Sequence, residues 1–361
     1  MPRIPRRRRN PQAPLRLRRA VLVVYGASGF AALAYEVAWT KTLSMILGTT
    51  TYAYSTMLTT FLLGLALGSF VFGRIADRIR RPQALLTLVQ AVIPLTAVLS
   101  IPLLEAMPQW FVDLFPAARS NWVKLEGVRF LLSAGAMFVP TFFMGGMFPL
   151  VTRVYMGRRS EGKSLGTLYA ANTVGAILGS FCAGFILIPL IGRQNAILAA
   201  TLVNLAAVLI LAGVLRWRRV GPAWGGAVGG ALAVTALLCI VPGPWNPVTR
   251  WDPRIMASGA YVYAADYAER GKISELMQEL SLLFYDEATE GTVSVWHAEY
   301  ILSLRTSGKV EASSYGDMVT QKMIAHLPLL YHRGDPKEGV MIGLASGISV
   351  VVRINHHCGQ P

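Results

Sequence analysis

Runs of about 20 apolar residues, separated by short gaps of which every second one is rich in arginine, constrain this 361-residue chain more than any other feature. A helix of that length crosses the hydrocarbon of a bilayer with all its backbone hydrogen bonds made internally, which no irregular segment can do there. Seven runs qualify, at about residues 20–47, 53–73, 83–104, 127–150, 165–190, 194–215 and 222–242. Arg3, Arg6, Arg7, Arg8, Arg9, Arg16, Arg18 and Arg19 precede the first. Arg74, Arg78, Arg80 and Arg81, then Arg153, Arg158, Arg159 and Lys163, then Arg216, Arg218 and Arg219 fill alternate later gaps. The intervening gaps carry little net charge. Basic loops stay on the cytoplasmic side, so the expectation is a multi-pass cell (inner) membrane protein with a cytoplasmic N-terminus and the lipid bilayer as its principal partner.

Composition agrees with that solvent. Apolar residues make up 53% and charged residues 15%, against about 25% charged in a soluble domain. The net charge of +15 is uneven: residues 1–249 carry 24 basic and 6 acidic side chains, and the remainder 10 and 13. Because the positive charge sits in short clusters between apolar blocks, no nucleic-acid partner is expected. Cys182, Cys239 and Cys358 are too few and too scattered for a disulfide framework. His356, His357 and Cys358 are adjacent and cannot all turn onto one ion, so no metal is expected.

Within the membrane half, Glu36 is a polar candidate by its depth alone, since a carboxylate in hydrocarbon needs a partner or water. The alternative is a structural pair with Lys41 or a loop arginine. Asn172 is expected to hydrogen-bond between helices. Gly64 and Gly68, Gly175 and Gly179, and Gly225 and Gly229 are expected to let helices approach closely within the bundle, with a homo-oligomer face as the alternative. Residues 105–126 mix Trp110, Phe111, Phe115 and Trp122 with charges and prolines, which suits a separate interfacial helix. The segment Gly73-Arg74-Ile75-Ala76-Asp77-Arg78-Ile79-Arg80-Arg81 resembles the cytoplasmic loop motif of the major facilitator superfamily. That resemblance implies that Asp77 and Arg78 tie helix ends together.

After Gly243-Pro244-Trp245-Asn246-Pro247 the chain changes character. A helical pattern covers about 267–281, strands are expected at about 291–297, 300–306 and 309–312, and a helix over 317–330. Gly339 to Gly347 reads as a buried strand running into a glycine turn. The order of hairpin, helix, strand and glycine turn is similar to the opening of the spermidine synthases. The phrases Tyr35–Trp39, Gly64–Gly68 and Asn172–Gly175 resemble the bacterial proteins that fuse facilitator-like helices to such a domain. The fold class expected is therefore an α-helical polytopic membrane bundle followed by the start of an α/β domain, with an N-terminal β-hairpin and the first strand of a Rossmann-like methyltransferase fold. Its parts are a basic tail over 1–19, a transmembrane domain over 20–244, a linker and helix over 245–283, and a partial synthase-like domain over 284–361.

The resemblance implies transfer of an aminopropyl group from decarboxylated S-adenosylmethionine to an amine. It places Gly343, Ser346, Gly347 and Glu311 at the cofactor, and Asp317, Gln321 and His326 at the substrate. Lys322 stands where the family has Glu, which opens S-adenosylmethionine itself, or a different amine, as ligand. The family's ribose-binding acid and catalytic Asp would follow later in the chain. A fragment that is inactive alone, with no tightly bound cofactor, is therefore expected. Seven crossings from a cytoplasmic N-terminus would also put this domain outside, away from cytoplasmic nucleosides. The alternative reading is a facilitator-like transporter or membrane scaffold with Glu36 in its pathway.

Overall fold

The computed structural model describes residues 15–156, 162–215, 222–240, 251–334, 340–344 and 346–351. The tail arginines before Leu15, Arg158, Arg159, the Arg216–Arg219 cluster, the turn at 243–247, and His356, His357 and Cys358 lie outside them. Seven long helices come first: α1 (Leu15–Leu47), α2 (Thr51–Arg78), α3 (Pro82–Ala118), α4 (Trp122–Met156), α5 (Gly162–Cys182), α6 (Ile188–Leu215) and α7 (Pro222–Ile240). A short π-helical segment, Ala183–Leu187, joins α5 to α6.

By length and apolarity five helical stretches can cross a membrane: α1, α2, α3, α4 and the continuous Ser164–Leu215. The last is far longer than one crossing requires. It breaks at Gly192, whose φ of 82° no helix accommodates. Both α5 and α6 pack along α1, so this stretch folds back on itself at that glycine. The apolar part of α7, Trp224–Cys239, is shorter than the rest.

Small residues set the approach of the helices. A Cβ on Gly64 or Gly68 would overlap Thr141 or the Phe142 carbonyl of α4, and one on Gly175 or Gly179 would overlap the Gly26 or Phe30 carbonyl of α1. Within lipid, such contacts supply association that the hydrophobic effect cannot. The contacts also give direction. Gly64, Gly68 and Phe72 of α2 meet Thr141, Phe142 and Gly146 of α4 in ascending order, so these two helices run parallel, as do α1 and α5. Arg18 lies 4.5 Å over the Tyr155 ring, which puts the start of α1 beside the end of α4. Arg18, Arg74, Arg78 and Arg153 therefore share one end of the bundle.

The interval 105–126 is not a helix of its own. α3 runs through Glu105, Pro108 and Pro116 to Ala118, and the chain turns at 119–121. The break falls where Asn121 can start the next helix, its Oδ1 accepting the Val123 N–H at 2.8 Å. The prolines do not end α3, because its far half is held by other elements. Met107, Pro108, Phe111 and Val112 are buried, and α3 packs on α9.

The C-terminal module begins with α8 (Pro253–Met256), α9 (Ala260–Arg270) and α10 (Ile273–Gln278). The single helix expected over 267–281 is thus two, broken at Gly271 with φ 119°. Four strands follow, β1 (Ser281–Glu287), β2 (Thr292–Ala298), β3 (Ile301–Thr306) and β4 (Lys309–Ser313), as an antiparallel meander in chain order. Ser307 and Gly308, both at positive φ, make the two-residue turn between β3 and β4. Then comes α11 (Met318–Tyr331).

The strand expected before the glycine turn does not form. Residues 340–344 pair with none of the four strands, Ile342 is 99% exposed, and a helical turn follows at 348–351. An inner parallel strand needs neighbours along both edges. β1 and β4 each have a partner on one edge only, and the described part of this segment pairs with neither open edge.

Candidate functional site

Among the described residues, three places gather polar chemistry. At the turn after α11, Gln321 is 8% exposed and central. Its Nε2 donates to the Ser313 carbonyl at 3.0 Å, its Oε1 accepts from the Ser346 hydroxyl, and its own carbonyl accepts from Ser349 Oγ at 2.8 Å. Gly343 and Gly347 both take positive φ, and a Cβ on either would meet nothing within 4 Å. Among the described residues, then, nothing covers their backbone. Gln321 and Ser346, which the resemblance puts at substrate and cofactor, are in contact, and Gly347 follows Ser346 in the chain. Glu311 does not join them: it is exposed on β4 and pairs with Lys309 at 3.3 Å. Asp317 is exposed at the start of α11, with its N–H on Ser313 Oγ at 3.1 Å, and His326 is half-buried about two and a half turns further along.

The second place is the junction between bundle and sheet. Arg193, the residue after the Gly192 break, is 4% exposed. Its Nη2 lies 3.2 Å from Glu287 Oε1 and donates to Thr292 Oγ1 at 2.6 Å and to Tyr285 Oη at 3.2 Å. Its Nη1 reaches the Lys41 carbonyl at 3.3 Å, and its backbone N–H donates to Glu287 Oε2 at 2.6 Å. Burial pushes the Glu287 carboxyl up. The Arg193 guanidinium and the two N–H and O–H donors outweigh that and hold it below the ordinary carboxylate range. Burial moves Tyr285 the other way, well above the usual phenol value. Around this pair, Lys41 Nζ donates to the Thr289 carbonyl at 2.7 Å, Trp251 Nε1 to the Ile101 carbonyl at 3.0 Å, and the Ile273 N–H to Gln109 Oε1 at 2.9 Å. The module is thus seated on the ends of α1, α3 and α6 that lie opposite the arginine end. Sequence reasoning missed this lock. Its signal was Arg193 itself, a lone charge between two apolar runs.

The third place is inside the bundle. Tyr35 Oη donates to Thr201 Oγ1 at 3.0 Å, Gln90 Nε2 to Asn204 Oδ1 at 2.7 Å, and Trp39 Nε1 to Ser100 Oγ at 2.9 Å. These bonds, and not Asn172, tie α1, α3 and α6 together. Asn172 instead packs its Oδ1 against the bare Cα of Gly29, and it makes no side-chain hydrogen bond among the described residues. Glu36 also has no hydrogen bond or ion pair among them; Lys41, its expected partner, is turned to Thr289. Asp77 and Arg78 are both exposed and form no ion pair with each other or with any described residue.

No known family, curated protein or solved structure matches this chain. Among the described residues no three His, Cys, Asp or Glu side chains converge as metal ligands would.

Proposed function

We propose that this is a seven-pass inner-membrane protein, with its N-terminus in the cytoplasm, that presents a spermidine-synthase-like module at the opposite membrane face to bind a small cation of the polyamine or adenosyl-sulfonium class. The observation that carries the reading is the Gln321–Ser346 contact beside the open backbone of Gly343 and Gly347. Backbone that nothing covers can approach a nucleoside or amine closely, and a buried amide fixes the turn that offers it. Aminopropyl transfer would also need a carboxylate to take the proton from the attacking ammonium. Among the described residues, the two acids that the resemblance puts at the site, Glu311 and Asp317, are exposed, and Glu311 is paired with Lys309. Binding without turnover is the expectation for this chain alone. Calorimetric titration of the detergent-solubilised whole chain with spermidine, S-adenosylmethionine and its decarboxylated form tests it. Saturable binding to at least one, weakened about tenfold in Gln321→Ala, is expected. Absence of heat with all three rejects the reading.

A separate observation favours a second reading, transport through the helices. Glu36 sits five residues, about 7.5 Å, deeper along α1 than Lys41, which reaches the module. An unpaired carboxylate at that depth costs about 2.5–3.5 kcal/mol unless it is protonated or meets water, which marks it as a pathway residue by default. Beside it, Val37 packs near Gly184 of the π-helical segment, and such segments concentrate at functional sites. Uptake of labelled spermidine into proteoliposomes, reduced at least tenfold by Glu36→Gln, would support this reading. Uptake no faster than in empty vesicles would end it.

A further inference from the structure

One face of the sheet carries an arginine whose charge no acid among the described residues answers. Arg305 of β3 is paired with Ser294 of β2 and Val310 of β4, and its Cζ lies 4.8 Å over the Trp296 ring. Its guanidinium is therefore on the face where Ser294 and Trp296 are buried. That face meets α9. Tyr263 Oη accepts the Val310 N–H at 3.1 Å, and the Tyr267 hydroxyl, which donates to the Ser258 carbonyl at 2.7 Å, is within reach of Arg305. Arg193 has Glu287 to balance it. Arg305 has no ion pair among the described residues, and its Nε and Nη1 are buried there without a hydrogen-bond partner. The Trp296 ring attracts this charge but does not neutralise it. Taking a guanidinium out of water is costly unless an anion meets it, so the site is incomplete as it stands.

A cleft of about 330 Å³ lies beside it, between the sheet, α9 and α10. Arg305 is half-buried and lines this cleft, so the open space reaches its side chain. Leu276, Met277 and Leu280 of α10 give the cleft an apolar wall. The charged residues lining it cancel, Arg305 and Arg270 against Asp266 and Glu279, and all of these except Arg305 are exposed. A lining without net charge draws in no polyanion, and its two acids oppose a second negative charge on a ligand. What is missing is a single negative charge at Arg305, next to hydrocarbon.

We propose that this cleft binds a small organic monocarboxylate with an apolar body, its carboxylate on Arg305 and its hydrocarbon against Leu276, Met277 and Leu280. A planar guanidinium matches a carboxylate in shape and gives it charge-assisted hydrogen bonds. The volume is at the small end of ligand sites, which suits a compact acid better than a nucleotide or a lipid. The cleft shares no lining residue with the Gln321–Ser346 turn, so this site is separate from the one proposed above.

Calorimetric titration of the detergent-solubilised whole chain with 3-phenylpropanoate tests the site, against 3-phenylpropanamide, acetate and inorganic phosphate. Saturable binding of 3-phenylpropanoate is expected. The amide keeps the shape without the charge and should bind at least about tenfold more weakly. Acetate keeps the charge without the body and should be weaker by a similar factor. Arg305→Met should bring the acid down to the affinity of the amide. No acid loses a partner in that variant, so its melting temperature should stay near that of the parent. Should Arg305→Met fail to fold, Arg270→Gln, at an exposed position of the same cleft, decides: binding of the acid about threefold weaker, with the amide unchanged, supports the site, and unchanged binding of the acid overturns it. Acid and amide binding alike, acetate or phosphate binding as tightly as 3-phenylpropanoate, undiminished binding in Arg305→Met, or no heat from 3-phenylpropanoate would each overturn the proposal.

Discussion

Arg193 shows how a buried charge is made tolerable. Its guanidinium and backbone N–H reach one carboxylate, two hydroxyls and one carbonyl from three elements. Breaking such a pair from one side leaves the other ion uncompensated, at a cost of about 3–5 kcal/mol. Arg193→Met should therefore loosen the module from the bundle, read as faster hydrogen exchange along β1, while the helices stay protected. The same lock should be acid-sensitive. Glu287 is held below its ordinary value of 4.5 in the folded chain, so the unfolded chain takes up the proton first as pH falls. Its contribution is fully present above about pH 4.5 and is lost as the pH drops through the lowered value. Exchange along β1 should accelerate over that interval, and Glu287→Gln should flatten the response. Equal β1 protection at pH 3 and pH 7 would show that the pair does not hold the module.

At the level of elements, what the sequence disclosed follows from which forces are local. The long helices were legible because bilayer thickness sets a length that apolar runs display directly. So were β2, β3 and α11, whose alternation and helical periodicity agree with their environment. Three elements were not. The far half of α3 looked interfacial because its aromatics and prolines are read without their partners, and those partners, α9 and α10, are more than a hundred residues away. The strand before the glycine turn has the apolar pattern of a core strand, but pairing is a property of neighbours and the pattern cannot supply them. The helix expected over 267–281 missed the break at Gly271, a single residue at positive φ. The candidate sites divide the same way. Gln321, Ser346 and Gly347 were singled out by the family resemblance, whereas the Arg193–Glu287 lock joins residues 94 apart and has no sequence pattern.

For the whole molecule, the side of the membrane follows from parity and docking taken together. The arginines of α1, α2 and α4 lie at one end, and the module is bonded to the other through Lys41, Ile101, Gln109 and Arg193. Five helical stretches before Trp251 are long and apolar enough to cross; the Gly192 break makes the longest of them two, and with the shorter α7 as a further crossing the count would be seven, an odd number that fits this separation. The positive-inside rule would keep those arginines cytoplasmic, because moving arginine across the bilayer is costly. The module should then face away from the cytoplasm. An alkaline phosphatase reporter joined after Arg270 should be active, and one joined after Met156 inactive, with a fluorescent-protein reporter giving the reverse at both points. A cytoplasmic signal after Arg270 would mean an even count. The hydrogen bonds from Trp251 and Ile273 to α3 could then not coexist with arginines on the cytoplasmic side, and α7 would have to pack on the bundle without crossing it.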